Sequence, residues 1–113
     1  MAPADPASAA NADAGSIFTA LADPTRRQLL DQLATDGPLT ATALAERYPM
    51  SRQAVVKHLT VLAAAGLLVG ERRGREVRYQ VVPTGLGGAA TWLTEVESRW
   101  DQRLDALQQR FKD

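Results

Sequence analysis

The clearest hydrophobic pattern in the chain lies in the segment SRQAVVKHLTVLAAAGLL. Its residues Val55, Leu59 and Leu62 are spaced four and three positions apart, which places them on one side of a helix and predicts that this side faces a core. Ser51 suits the N-cap of this helix, and Gly66 suits its C-terminal stop. The opposite side is polar and partly basic, so its role has to be explained by something other than packing.

Two helices are predicted near the start of the chain. Residues 1–14 show no apolar period and are predicted to form a flexible tail. A first short helix is predicted over residues 16–21. A second helix follows Asp23 as capping residue and Pro24 as first helical residue, and it ends at Gly37.

A third short helix is predicted between Thr40, its capping residue, and Pro49. Only a few residues separate it from the helix that begins after Ser51. Two helices in close succession, the second with a polar outer face, match a helix-turn-helix. Beyond Gly66 the apolar period becomes alternating, as in EVRYQV, which predicts a β-hairpin with the basic turn RRGRE.

The last predicted element is a long helix over residues 89–111. Its apolar residues recur every three or four positions, close to a heptad pattern. This apolar seam consists of Leu93, Val96, Trp100, Leu104, Leu107 and Phe111. A small domain has no obvious use for so long a stripe, so a second copy of the chain is its simplest partner. We expect the first helix to join the dimer interface through Ile17, Phe18 and Leu21, and we assign Trp92 to the same contact.

Composition and charge narrow the function. The chain has 113 residues, a length that predicts one domain, here over residues 15–113. It has no cysteine, which excludes disulfides and thiolate metal sites, and only one histidine. The net charge is zero, but its distribution is uneven. Residues 1–46 carry two basic and six acidic side chains, whereas residues 47–80 carry seven and two. Such a local basic patch attracts polyanions even when the whole protein is neutral.

No catalytic residue, cofactor or metal site is predicted. The sequence lacks a recognisable nucleophile triad and a glycine-rich phosphate loop. His58 is interpreted as a packed histidine that bonds locally, in preference to a phosphate or base contact. The possible metal ligands left are Glu95, Glu97, Asp101 and Asp105. Carboxylates alone discriminate poorly between transition metals, so we interpret these as a solvated helix face. Without a signal peptide or a long apolar run, we expect a soluble, cytoplasmic protein.

Four segments of the chain resemble the ArsR-type bacterial repressors, in particular their metal-independent branch with a Trp-containing last helix. These segments are LADPTRRQLLDQL, MSRQAVVKHLTVLAAAGLL, RRGREVRYQV and WLTEVESRWDQRLDAL. The resemblance covers about residues 15–110. It implies a winged helix-turn-helix fold, mainly α with a β-hairpin, that dimerises through its first and last helices. It also implies a homodimer that binds a palindromic operator in double-stranded DNA and releases it when an effector binds.

The resemblance indicates where DNA would be contacted, because the start of a recognition helix enters the major groove and wing arginines suit the adjacent minor groove. The candidate DNA-binding residues are Thr40, Ser51, Arg52, Gln53, Val56, Lys57, Arg72, Arg73 and Arg75. Family members often have Ser where this chain has Val56, so a methyl contact with thymine is expected there.

Two questions stay open in the sequence. The effector is unknown, although regulation without a ligand or by an organic molecule is expected in preference to metal sensing. The alternative to a DNA-binding repressor is a winged-helix module that serves protein interaction or dimerisation without specific DNA binding, since a fold does not fix a function.

Overall fold

The structure, a computed structural model, describes residues 6–111, with side chains from Ala14 onward. Its elements are α1 (Pro6–Leu21), α2 (Pro24–Asp36), β1 (Leu39–Thr40), α3 (Ala41–Ala45), α4 (Arg52–Ala64), β2 (Leu68–Arg73), β3 (Glu76–Val81) and α5 (Gly87–Arg110). Four helices, a hairpin and a terminal helix follow one another as in a winged helix-turn-helix, so the predicted fold is confirmed.

Short-range signals in the sequence set the starts of three helices. In each case a side-chain oxygen accepts a hydrogen bond from a first-turn backbone N–H, which has no partner within the helix. These bonds run from Thr25 N to Asp23 (2.7 Å), from Ala43 N to Thr40 (3.1 Å) and from Ala54 N to Ser51 (3.1 Å). All three caps agree with the prediction, and α2 ends as predicted at Gly37, whose φ is 80°.

The first helix is longer than predicted. It begins at Pro6 and not at residue 16. Most of the segment predicted as a flexible tail, residues 1–14, therefore belongs to α1, and residues 1–5 lie outside the described residues. Proline suits the first helical position, and alanine, the best helix former, occupies five of the next eight positions. The predicted start was too late because it was based on apolar periodicity, whereas residues 6–13 favour a helix through their intrinsic propensity and show no such period.

The core holds α4 in a fixed orientation. Val55, Leu59 and Leu62 are completely buried, which confirms the predicted inner face of this helix. Leu29 and Leu33 of α2 belong to the same buried cluster. Burying one side chain of this size contributes about 1.5–3 kcal/mol to stability. Three such anchors on one side leave the other side of α4 directed away from the core.

The wing is a three-stranded antiparallel sheet in the order β1-β3-β2, where the sequence predicted only a two-stranded hairpin. The short strand β1 pairs Leu39 with Tyr79 and Thr40 with Arg78. A two-residue loop, Gly74 and Arg75, joins β2 to β3. Gly74 has a φ of 63°, which glycine adopts without strain and which suits a tight hairpin turn. Arg75 therefore lies at the tip of the wing.

The helix α5 extends away from the rest of the molecule. Its 24 residues span about 36 Å. The Cα radius of gyration is 18.7 Å, whereas a compact domain of this length has one of about 13 Å. Of the residues of α5 only Ala89 is buried, so a large part of this helix has little protein packed around it within one protomer. None of the described helices is both long enough and apolar enough to cross a membrane.

Candidate nucleic-acid interface

The outer face of α4 is exposed and polar at its N-terminal end. Gln53 and Lys57 are exposed and make no side-chain hydrogen bond or ion pair with any other described residue. Arg52 is also exposed, and its Nε donates to Thr42 Oγ1 at 3.2 Å, which leaves its remaining N–H groups available. Thr60 differs, because its hydroxyl donates to the Val56 carbonyl at 2.8 Å and is used within the helix. The available polar groups thus lie in the first two turns of α4.

An open cleft of about 460 Å³ separates the start of α4 from the wing. It brings together four predicted residues from different elements. These are Thr40 at the start of α3, Arg52 and Val56 of α4, and Arg75 at the wing tip. Sequence reasoning missed Thr42 and Tyr79, which also line the cleft. Thr42 had a usable signal, a second hydroxyl in the first turn of α3, whereas the position of Tyr79 depends on its pairing with β1.

Two of the predicted contact residues already have a structural task. The hydroxyls of Thr40 and Ser51 accept the capping bonds of α3 and α4. A hydroxyl has one proton to donate besides its two acceptor lone pairs, so each can still donate to a phosphate oxygen. Both residues can therefore position the helix starts and contact a DNA backbone.

The turn between α3 and α4 is tied to α2. Arg47 donates to Asp36 Oδ2 at 2.6 Å, Gln32 donates to the same oxygen, and the Tyr48 hydroxyl donates to the Gln28 carbonyl at 3.3 Å. The bond from Arg47, followed by that from Gln32, lowers the pKa of Asp36. Burial raises the pKa of Tyr48 above its ordinary 10.0. These contacts fix the turn and hence the position at which α4 begins.

The wing arginines do not form one cluster. Arg73 lies directly opposite Glu76, and its Nε is 3.6 Å from Glu71 on its own strand. Arg72 pairs with Val77 and therefore lies on the other face of the hairpin, where Val77 lines the cleft. Arg75 lies at the tip and lines the cleft itself. The predicted set thus separates into Arg75, which lines the cleft together with Glu76, Arg72, which shares the face of Val77, and Arg73, whose charge is paired with Glu71 on the other face.

His58 lies away from the cleft, half-buried on α4 near the start of α2. Asp23, at the start of α2, is influenced by His58, and burial raises the pKa of the Asp23 carboxyl. Bonds from the N–H groups of Thr25 and Arg26, together with the electrostatic influence of His58 and Arg26, outweigh this effect and lower the pKa of Asp23 below its ordinary value. The half-buried position is compatible with the predicted packing of His58, but no hydrogen bond joins its side chain to another described residue, so the predicted local bond is not seen.

The apolar seam of α5 is largely exposed in the protomer. Trp100 is 69% exposed and Phe111 84%. Leu93 and Leu104 are exposed by about half of their surface, whereas Val96 and Leu107 are half-buried. Large apolar side chains rarely stay in water in such a row, which indicates a protein partner along this helix.

On α1, two of the predicted interface residues have a different position from the one expected. Ile17 is only 2% exposed and belongs to the protomer's own core, so it is removed from the candidate interface. Leu21 is half-buried against that core. Phe18 is partly exposed and packs edge-on against Trp92, with ring centroids 5.5 Å apart. Trp92, also assigned to the interface, therefore joins α1 to α5 within one chain.

The acidic residues of α5 do not converge. Within residues 6–111, no group of three or more His, Asp or Glu side chains is arranged so that it could hold a metal ion. The four carboxylates considered as possible ligands, Glu95, Glu97, Asp101 and Asp105, are all exposed along the helix.

Comparison with known proteins gives consistent results. A family model described as a helix-turn-helix domain matches residues 21–71. The transcriptional repressor SdpR of Bacillus subtilis is 32% identical over 89 residues, which cover 79% of this chain and 98% of that protein. An ArsR-like transcriptional regulator from Rhodococcus sp. RHA1 superposes with a TM-score of 0.79 at 39% identity, covering 91% of this chain and 96% of the other. The homodimeric winged helix-turn-helix DNA-binding domain of Mb0332 from Mycobacterium bovis superposes with a TM-score of 0.64 at 25% identity, covering 92% and 93%.

Proposed function

Because the chain belongs to the ArsR family of winged helix-turn-helix transcriptional regulators, we propose that it is a homodimeric repressor that binds an inverted-repeat operator in double-stranded DNA. The observation that carries the proposal is the cleft between α4 and the wing. Around it lie an anchored helix with available polar groups and the arginine at the wing tip. A helix presented in this way fits the major groove, and an arginine at the wing tip fits the narrower minor groove.

Each candidate side chain has a distinct chemical role in this proposal. Gln53 can form two hydrogen bonds with an adenine edge, and Lys57 can contact guanine or phosphate. Val56 lines the cleft with its methyl groups and can pack against a thymine methyl. Arg75 and Arg72 supply phosphate or minor-groove contacts from the wing.

The exposed seam of α5 supports the homodimer. A second copy is the occupant that we propose because Mb0332, which has the same fold, is a homodimer and because twofold pairing buries the same apolar seam on both chains. Such a dimer would place two α4 helices about one DNA turn apart, ~34 Å, so the operator should be an inverted repeat with that spacing.

The remaining assignments follow from this role. Residues 15–113 are proposed to form one DNA-binding and dimerisation domain, and the protein is proposed to act in the cytoplasm, where operator DNA would be found. No enzymatic activity is part of the proposal. The residues of the cleft lack a nucleophile paired with a base, and their polar groups suit hydrogen bonds to DNA.

The proposal is tested by measuring binding to the promoter of the protein's own gene over a range of salt concentrations, with random DNA of equal length as control. We expect a steep fall of log K with log salt, since each phosphate contact contributes about −0.9 to the slope. We also expect a preference for the promoter of about 10³-fold or more over random DNA. Binding that is absent, or equal on both DNAs, would contradict the proposal and favour a protein-interaction module.

A further inference from the structure

The second helix begins with side chains that close the end of the first. Arg26 Nε donates to the Ala20 carbonyl at 2.6 Å, and Arg26 Nη2 donates to the Thr19 carbonyl at 3.1 Å. Arg27 Nη1 donates to the Leu21 carbonyl at 2.5 Å. These carbonyls belong to the last turn of α1, where a helix leaves its C=O groups unpaired and carries partial negative charge. The two arginines of α2 therefore cap the C-terminus of α1.

The same few residues also start α2. Asp23 caps α2 by accepting from the N–H groups of Thr25 and Arg26, and its carboxylate lies 3.5 Å from the Arg26 guanidinium. The Arg26 side chain is only 16% exposed. Its planar guanidinium is thus bonded on one side to the end of α1 and held on the other by the cap of α2. We call this arrangement of Asp23, Arg26 and Arg27 the α1–α2 joint.

The joint lies between the two parts of the molecule that have to be aligned for operator binding. On one side, α1 packs against α5, which carries the apolar seam. On the other side, α2 packs against α4, the proposed recognition helix. Apolar contacts such as that of Ile17 are non-directional and tolerate small rotations. Hydrogen bonds from a planar guanidinium to defined carbonyls fix a direction.

We propose that Arg26 and Arg27 are positioning residues that set the angle between the dimerisation helices and the helix-turn-helix, and thereby the separation of the two recognition helices on DNA. This inference rests on the proposed function as a dimeric operator-binding protein. In a twofold dimer, a rotation at the joint moves both recognition helices, in opposite directions. A small change of angle in each protomer therefore changes the fit to two half-sites while leaving each half-site contact intact.

The experiment uses DNA that the wild-type protein selects from a random pool. Four probes are derived from it: the selected operator, the same operator with the half-sites one base pair closer, the same operator with the half-sites one base pair farther apart, and an isolated half-site. The variants are Arg26→Gln, Arg26→Lys and Arg27→Gln. Arg99→Gln serves as the matched control, because it also removes one positive charge, but Arg99 is exposed on α5 and its side chain makes no hydrogen bond or ion pair with another described residue. Sedimentation and circular dichroism check the dimer and the helix content.

We expect Arg26→Gln to remain a folded dimer and to bind the half-site like the wild type. Its affinity for the selected operator should fall about tenfold, as expected for losing hydrogen bonds from a charged group, and the penalty for altered spacing should shrink by a similar factor. Arg26→Lys and Arg27→Gln should show the same change to a smaller extent. Arg99→Gln should keep the wild-type spacing preference.

The outcomes separate the two proposals. A wild type that selects no DNA contradicts the proposed function itself. A wild type that selects an operator, with Arg26→Gln and Arg27→Gln keeping its full spacing preference, contradicts the inference alone. Equal losses on the operator and the half-site indicate a purely structural role and also overturn it. If Arg26→Gln loses its helical structure, the same criteria apply to Arg26→Lys and Arg27→Gln.

Discussion

The protomer exposes two surfaces that its own packing does not explain, and they differ in chemistry. The first two turns of α4 and the wing tip present polar and basic groups beside a cleft. The seam of α5 presents a row of apolar side chains that ends in Phe111. Water solvates the first surface well, whereas each Å² of the second left in water costs about 25 cal/mol.

This difference indicates how each surface should behave. Salt screens charges and lowers the gain from counterion release, so contacts of the basic surface should weaken as salt rises. Burial of apolar surface has no such dependence, so pairing along α5 should persist under the same conditions. The dimer dissociation constant is therefore expected to change little with salt concentration, whereas the affinity for DNA should fall as salt rises.

The largest effect is expected on the apolar surface. Truncating a buried Trp typically costs ~3–5 kcal/mol, so Trp100→Ala should raise the dimer dissociation constant by about 10²-fold or more. Because Trp100 is 69% exposed in the protomer, the monomer should keep its helix content. Sedimentation and circular dichroism measure the two quantities. Gln102→Ala, on the opposite side of α5, is the control and should stay dimeric; a wild type that is monomeric at micromolar concentration would refute the interface.

On the basic surface, single substitutions should have a smaller effect. Gln53→Ala should cost ~1–3 kcal/mol on the operator and little on random DNA, because a base contact carries sequence information. Lys57→Ala should lower the affinity for the operator by an amount comparable to that of Gln53→Ala, because Lys57 is proposed to contact guanine or phosphate. Titration of both DNAs gives the two affinities. If both variants are folded and bind as tightly and selectively as the wild type, the outer face of α4 is only a solvated helix surface.

The wing provides a finer test within the basic surface. Removing a phosphate contact should reduce the salt slope by about one unit and weaken operator and random DNA alike. We expect this for Arg75→Ala, at the wing tip beside the cleft. We expect a smaller change for Arg73→Ala, since that charge is already paired with Glu71. Equal slopes for the two variants would contradict the assignment of the two wing faces.

The smallest effect is expected from metal ions. The chain has no cysteine and a single histidine, and these are the residues that bind zinc, copper or arsenite tightly. One equivalent of any of these ions should therefore leave operator affinity unchanged in a titration with a chelator control. Tight release of the operator by one equivalent would show that the carboxylates of α5 form a ligand site and not a solvated helix face.

Local sequence signals predicted much of the candidate site. The caps Thr40 and Ser51 and the buried face of α4 depend on residues within four positions of each other, so the sequence contains them directly. The sequence could also have predicted that the wing arginines lie on different faces of the hairpin. Strand alternation places Arg73 beside Glu71 and apart from Arg72, but the basic turn was interpreted as one cluster.

Other features depend on contacts between residues far apart in the chain. The pairing of Leu39 with Tyr79 adds a third strand to the wing and helps to form the cleft. Burial of Ile17 depends on how α1 packs against the rest of the core. No periodicity within either segment encodes these partners.

The sequence by itself thus determined the element types, the helix caps, the inner face of α4 and the presence of an unmatched apolar seam. Each follows from interactions over a few residues or from the spacing of side chains along one element. The tertiary structure decided which exposed groups meet at the cleft, which wing arginine lines it, and that Arg26 and Arg27 close the end of α1. These depend on the relative placement of whole elements, which the packing of the core sets and local spacing does not.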